Sequence, residues 1–462
     1  MNINILKRWN EQYLRLSSFN RKARRTLKKR WKKSLLVIAL ALALGVSDAS
    51  AATITVGETE LGTGAVTIED DGICSITEAI QNANNTSGNP VNVDCVAGGI
   101  PDGAGGAADD IILPNNSTFT FDGINPSTFP GNGQNALPSI SSNITIEGNG
   151  SVLERMEDPL PPGAPVPDFR IINTNGNLTL NNLTLRNGIS NAGGCVMVNG
   201  TFTLNNSEIS GCNATNSGGG IYIFEGDAVI RNSIISGNSS GNIGGGIDVY
   251  SPFGSSNFRL INSTLSGNTS NIGGGVSIYY ADSNIVNSTI TNNTANNGGG
   301  LYLSNDSNIR NSIISGNQMT NGNVDNCEIS IISNLYDLGN NLSNDSSCGL
   351  SISNFDNDCL GPLADNGGLT FTHALIASGD QQCSTNTAID GGNNNTCANN
   401  PNINNLDQRG VMRPIDGDND NIAVCDIGSF EFEPPPEFGM CSMAEIPGDG
   451  VDNNGDGDGT MQ

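Results

Sequence analysis

The sequence predicts an all-β protein, a right-handed, three-sided parallel β-helix with a short N-terminal capping helix. Three observations carry this. The pattern Asn-Ser-x-Ile/Leu recurs from Asn206, Asn232, Asn262, Asn287 and Asn311, at spacings of 26, 30, 25 and 24 residues. A glycine triplet followed by an apolar residue recurs in step, from Gly218, Gly244, Gly273 and Gly298. After each triplet the aliphatic residues alternate: Ile221 and Ile223, Ile247 and Val249, Val276 and Ile278, Leu301 and Leu303. Period-two alternation marks a strand with one buried face. One such unit cannot bury its own apolar face, but copies stacked about 4.8 Å apart form continuous inner columns. Neither the aromatic signature of a propeller blade nor the Leu-x-x-Leu-x-Leu pattern of a horseshoe is present.

A second Asn follows the first by six residues, at Asn238, Asn268, Asn293 and Asn317, with Cys212 in that place in the first copy. Asn tolerates left-handed backbone and can bond its own counterpart one coil away, so an Asn ladder inside the turns is expected. The many Asn-x-Ser/Thr triplets are by-products of it.

Residues 1–51 are read apart from the fold. Lys7 to Lys33 is strongly basic, Leu35 to Val46 is apolar, and Ala49-Ser50-Ala51 is a small-x-small cleavage signal. That order describes a secretory signal peptide, although a retained N-terminal anchor is the alternative. The apolar run falls short of the roughly 20 residues a spanning helix needs. The protein is therefore expected to be exported, to the extracellular space or the bacterial cell envelope, with no transmembrane span after signal removal. Residues 52–462 hold 8 Arg, no Lys and 44 Asp or Glu, a formal charge of −36. Such a chain repels phosphate backbones, which excludes nucleic acid as a partner, and attracts divalent cations.

All 11 cysteines lie after residue 51. In an exported chain disulfides are the default. The candidate local bridges are Cys74–Cys95, Cys195–Cys212, Cys327–Cys348 and Cys383–Cys397, although spacing alone fixes no connectivity. At the N-terminal end, Ser75 and Glu78 have capping-box spacing, and Ile76, Ala79, Ile80 and Ala83 share one helical face. A short amphipathic helix there would plug the core and protect the first open edge. The chain thus divides into a signal peptide (1–51), an N-terminal cap with first coils (52–140), β-helix repeats (141–320), a C-terminal region (321–432) and a Pro-rich linker with an acidic tail (433–462).

Cys74 to Asn84 resembles the "CSLREAI…AN" segment of exported β-helix proteins, with Thr77 in place of the usual Arg. The glycine-triplet repeats resemble those of polymorphic outer-membrane proteins. The C-terminal region is similar to the "choice-of-anchor Q" region, through Gly361-Pro362-Leu363, Leu369, Thr372-His373-Ala374-Leu375, Ala388-Ile389-Asp390-Gly391-Gly392, Asp407-Gln408-Arg409-Gly410 and Cys425-Asp426-Ile427-Gly428-Ser429-Phe430-Glu431. These resemblances cover most of residues 65–432. They imply export and a surface role, and no catalytic residues. Residues 437–462, where such proteins are expected to carry an anchoring segment, hold no apolar span.

Few residues suggest catalysis. The single His373 sits in a strand-like context and reads as structural. A polysaccharide lyase or glycoside hydrolase on this scaffold is the competing class. A lyase needs a cationic base, but Arg231 and Arg310 fall three coils apart, roughly 14 Å. Asp227, Asp282 and Asp306 lie near one turn column; Asp282 and Asp306 could stand adjacent at a hydrolase-like separation, but turn chemistry is the readier explanation.

Aromatic residues are more informative. Residues flanking the inward aliphatics point outward, which gives the columns Tyr222, Asp248, Ser277, Tyr302 and Phe224, Tyr250, Tyr279, Ser304, with Tyr280 adjacent. A contiguous exposed aromatic face is expected to bind, here a polysaccharide or cell-surface partner, with Asp248 accepting hydroxyl bonds. Two acidic stretches, Asp416, Asp418, Asp420 and Asp452, Asn454, Asp456, Asp458, offer alternating oxygens that suit calcium. No cofactor is required.

Overall fold

A computed structural model describes residues 52–57, 72–85, 90–96, 108–125, 133–157 and 166–435, apart from 255, 332, 353 and 400–402. The signal peptide, Cys441 and the stretch from Asp452 through Asn454 and Asp456 to Asp458 lie outside the described residues. Most of the described residues up to Ser343 form the parallel β-helix that the repeat predicts. In one coil, Ile221–Phe224, Ala228–Arg231 and Ile234–Ser236 make the three faces. Each pairs in parallel one coil on: Ile221 with Ile247, Ala228 with Phe258 and Ile234 with Thr264. The sheet that follows the glycine triplets has seven strands, from Ile172–Thr174 to Cys327–Ile329. Parallel pairing continues to Leu342–Ser343, inside the stretch assigned from sequence to the C-terminal region.

The inward columns are as the alternation requires. Ile221, Ile223, Val249, Ile278 and Leu303 are fully buried, joined by Phe202 and Phe258 from a second face. Burying each such side chain is worth roughly 1.5–3 kcal/mol. Gly244, in left-handed backbone with φ 63°, opens its triplet. At Gly245 a Cβ would collide with the Gly274 carbonyl of the next coil, so only glycine allows the turn to stack.

The Asn ladder exists. Asn238 Nδ2 donates to Asn268 Oδ1 at 3.0 Å, Asn268 to Asn293 at 2.9 Å, and Asn293 to Asn317 at 2.9 Å. It extends to Asn326, and at the other end the backbone N–H of Cys212 donates to Asn238 Oδ1. The left-handed residues are not the ladder Asn, however. Positive φ falls on the marker Asn206, Asn232, Asn262, Asn287 and Asn311, and on Gly237, Gly267, Asn292 and Gly316, each just before a rung. A parallel serine ladder follows each marker Asn: Ser233 N donates to Ser263 Oγ, Ser263 N to Ser288 Oγ, and Ser288 N to Ser312 Oγ.

The N-terminal helix spans Ile76–Asn84 and carries the capping box: Glu78 N donates to Ser75 Oγ, and Ser75 N to Glu78 Oε2. Its buried face, Ile76, Ala79, Ile80 and Ala83, joins the main core. Cys74–Cys95, Cys195–Cys212 and Cys327–Cys348 pair as expected. Cys383–Cys397 does not form. The bridges are Cys359–Cys383 and Cys397–Cys425, because the helix Asn394–Asn399 carries Cys397 to Asn287 and Asn311 on the outside of the solenoid.

Residues 357–435 fold back as a lobe on the outer face of the coils. Thr264 Oγ1 donates to Gln408 Oε1 at 2.7 Å, and Arg413 donates to Asn262 Oδ1 at 3.1 Å. Ser266 Oγ lies 2.9 Å from His373 Nε2, while His373 Nδ1 meets the Gly361 carbonyl at 2.7 Å. His373 is buried between them, and burial lowers its pKa. The footprint explains why Asn262, Asn287 and Asn311 are fully buried whereas Asn206 and Asn232 are not.

Candidate functional site

The face opposite the inward aliphatics of the seven-stranded sheet carries a continuous aromatic layer. Strand pairing places Tyr222, Asp248, Ser277 and Tyr302 in one column, and Phe224, Tyr250 and Tyr279 in the next. Ring centroids follow at 6.3 Å for Tyr222–Phe224, 6.0 Å for Phe224–Tyr250, 6.4 Å for Tyr250–Tyr279 and 5.0 Å for Tyr279–Tyr302. Tyr280 touches both Tyr250 and Tyr279. The layer spans four coils, about 14 Å along the axis. Its rings are half-buried against one another, and Tyr280, in left-handed backbone, is 48% exposed.

Asp248 differs from the expectation that it lies open to ligand hydroxyls. It points outward from the sheet but is only 2% exposed, and its column neighbour Ser277 is fully buried. In the Tyr222–Tyr302 column both side chains lie against the glycine turn that precedes their own strand, Asp248 beside Gly244 and Ser277 beside Gly273. Asp248 takes a hydrogen bond from Ser217, and Oδ1 has no partner. Burial, weakly opposed by Ser217, pushes its pKa up to about 7. Tyr222 and Tyr279 are also pushed up, by burial first, so both phenols stay protonated.

Two further residues, outside the columns read from sequence, lie next to members of the layer or to their loops. The 30-residue coil holds an extra loop after Tyr250, and Phe253 on it is 85% exposed. Phe253 N is held by Glu225 Oε1 at 2.8 Å. The sequence signal was the irregular spacing between Asn232 and Asn262. Glu328 pairs in register with Tyr302 and is exposed at the far end.

The turn carboxylates are coil-to-coil staples. Asp227 accepts from Asn257 N and Nδ2, and Asp282 from Asn305 Nδ2. Asp306 accepts from Asn334 and Tyr336, which hold its pKa below the usual range. An acid held ionised in this way is a poor proton donor for glycoside cleavage. Strand register confirms three coils between Arg231 and Arg310. A polar groove beside Thr120 has both its cations engaged, since Arg186 pairs with Glu154 at 2.6 Å and Arg155 donates to the Pro167 and Val166 carbonyls.

In the lobe, Asp416 and Asp418 converge with Asp390, which the sequence reading missed; oxygens of the three lie within 4.8 Å of one another. Asp420 is not in this group. Its N–H donates to Asp416 and Asp418, and its carboxylate caps Ile422 N. Asp390 accepts from Gly417, Asp418 and Val424 backbone N–H groups. Backbone donors thus satisfy much of the charge that a cation would otherwise meet. Among the described residues no helix is long and apolar enough to cross a membrane.

Fold and site together define a disulfide-bonded parallel β-helix that presents an aromatic layer on one sheet. In comparisons with known proteins, no family model, no curated protein and no solved structure matches the chain.

Proposed function

We propose that this is an exported, non-catalytic β-helix scaffold that binds a polysaccharide or cell-surface glycan on its aromatic layer. The observation that carries the reading is the run of ring contacts from Tyr222 to Tyr302 on an outward sheet face. Apolar faces of sugar rings stack on such a surface, while phenol hydroxyls at its edge hydrogen-bond their hydroxyl groups. A rigid solenoid holds the rings without an ordering cost at binding. Export is supported by five disulfides and by the basic, apolar and small-residue order of the first 51 residues.

A buried carboxyl with a raised pKa is also where catalytic acids occur, and Asp248 is one. The enzyme class is therefore tested alongside. Purified protein is incubated with neutral and uronic-acid polysaccharides, and both retention and release of reducing ends are measured. Retention without cleavage, lost in Tyr250→Ala/Tyr279→Ala, is the expected result. Cleavage abolished by Asp248→Asn would replace the binding reading with the enzyme. Calcium is assigned a supporting role at Asp390, Asp416 and Asp418. Millimolar calcium, the range of weak extracellular sites, should raise the thermal midpoint of wild type and leave Asp390→Asn unmoved.

A further inference from the structure

We propose that the glycan favoured by the aromatic layer carries positive charge, as a polymer of amino sugars with free amines does. This rests on the glycan-binding reading above and narrows it to a substrate class.

Three observations point the same way. First, the seven strands of the sheet, from Ile172–Thr174 to Cys327–Ile329, contain no Arg and no Lys. A uronate or sulfated chain would find no counter-charge there. Second, the layer has a carboxyl at its centre. Asp248 lies in the column between Tyr222 and Ser277 at 2% exposure with Oδ1 unpartnered, and Ser277 Oγ beside it is unpartnered too. A charge in low-dielectric surroundings acts on a nearby ligand more strongly than one in water. Third, the rim is acidic. Glu225 follows Phe224, Asp282 lies two residues after Tyr280, and Glu328 stands next to Tyr302 in register.

The rings themselves favour a cation over their faces. Their centroids are 5.0 to 6.4 Å apart, so they touch and leave no slot between them. A small ammonium ion caged by rings therefore does not fit. An extended chain lying across the layer does, with its sugar faces stacked and its amines above the carboxyl and near the rim.

The Asp248 proton makes the idea testable. Ser217 bonds this carboxyl and Tyr222 and Tyr279 lie close enough to feel its charge, while among the described residues no Arg, Lys or His acts on it. Burial holds it mostly neutral below pH 7 and lets it ionise above. A ligand of constant charge should gain affinity as pH rises through that value.

The probe is a glucosamine oligosaccharide with its amines trimethylated, charged at every pH. Its binding to the exported protein is measured by calorimetry at pH 5 and pH 8, against the N-acetylated oligosaccharide and oligogalacturonate of equal length. At pH 8 the cationic oligomer is expected to bind about tenfold more tightly than the neutral one, as one cation–π contact and one carboxylate together would give. The preference should shrink severalfold at pH 5, lose its pH dependence in Asp248→Asn, and weaken in Glu328→Gln, which alters only an exposed rim position. Equal affinity for cationic and neutral oligomers, or tighter binding of oligogalacturonate, would overturn the inference while leaving a glycan site in place. Binding of none of the three would overturn both.

Discussion

Asp248 shows how one residue type changes meaning with its neighbours. On an outward column of exposed rings it would be an ordinary ligand contact. Packed against the Gly244 turn and Ser217 it is buried, and its pKa rises to about 7. A rise of about three units above the ordinary value corresponds to roughly 4 kcal/mol. The group favours the fold while protonated, so its contribution is complete below about pH 4 and is lost as pH rises through 7. Asp248→Asn should therefore match wild type in thermal midpoint at pH 4 and exceed it at pH 8. A midpoint difference independent of pH would rule out the buried acid. Asn293 makes the opposite case, that of a polar group fully satisfied inside the fold. Its amide donates to Asn317, to the Leu265 and Thr291 carbonyls, and its oxygen accepts from Asn268. Asn293→Ala strands several buried partners at once and should cost about 2–4 kcal/mol in urea unfolding. A loss below about 1 kcal/mol would mean that the ladder closes across the gap.

At the level of elements, the outer lobe is fastened by side chains that the repeat supplies for other reasons. Thr264, Ser266 and Thr289 project from strand faces, and Asn262, Asn287 and Asn311 from turns; all six contact residues 373–429. The Cys397–Cys425 bridge holds the part of the lobe that touches Asn287 and Asn311. Replacing both cysteines by Ser should speed hydrogen exchange across 390–430 while amides of Ile221–Phe224 and Ile247–Tyr250 keep their protection. Uniform loosening of both regions would contradict a separately attached lobe. The coils were legible because their pattern is local: the spacing of Asn232, Gly244 and Ile247 repeats wherever a strand or turn repeats. The capping box at Ser75 and Glu78 was legible for the same reason. The lobe was not, since contacts such as Thr264 with Gln408 span 144 residues and leave no periodic trace. The Cys383–Cys397 pairing failed on this ground, as a helix turned Cys397 away from its neighbour in sequence. The ring columns followed from alternation alone. Burial of Asp248 depended on the Gly244 turn and Ser217 packed beside it, which alternation does not encode.

For the whole molecule, the −36 charge of residues 52–462 and the stacked coils act together. A net charge of this size keeps long solenoids apart and steers cations to them. The helix Ile76–Asn84 packs its apolar face into the main core beside the strand Asp109–Ile112. Both Trp residues, Trp9 and Trp31, precede residue 52, and five of the six Tyr after it belong to the aromatic layer. Tyrosine emission from residues 52–462 thus reports on the proposed site almost alone. The central claim, that glycan is bound on these rings, is tested most directly by titrating that emission with whichever polysaccharide the protein retains. The account predicts a saturable change in wild type that disappears, together with retention, in Tyr250→Ala/Tyr279→Ala. Retention that persists in the double variant, with emission unchanged on titration, would place binding elsewhere and contradict it.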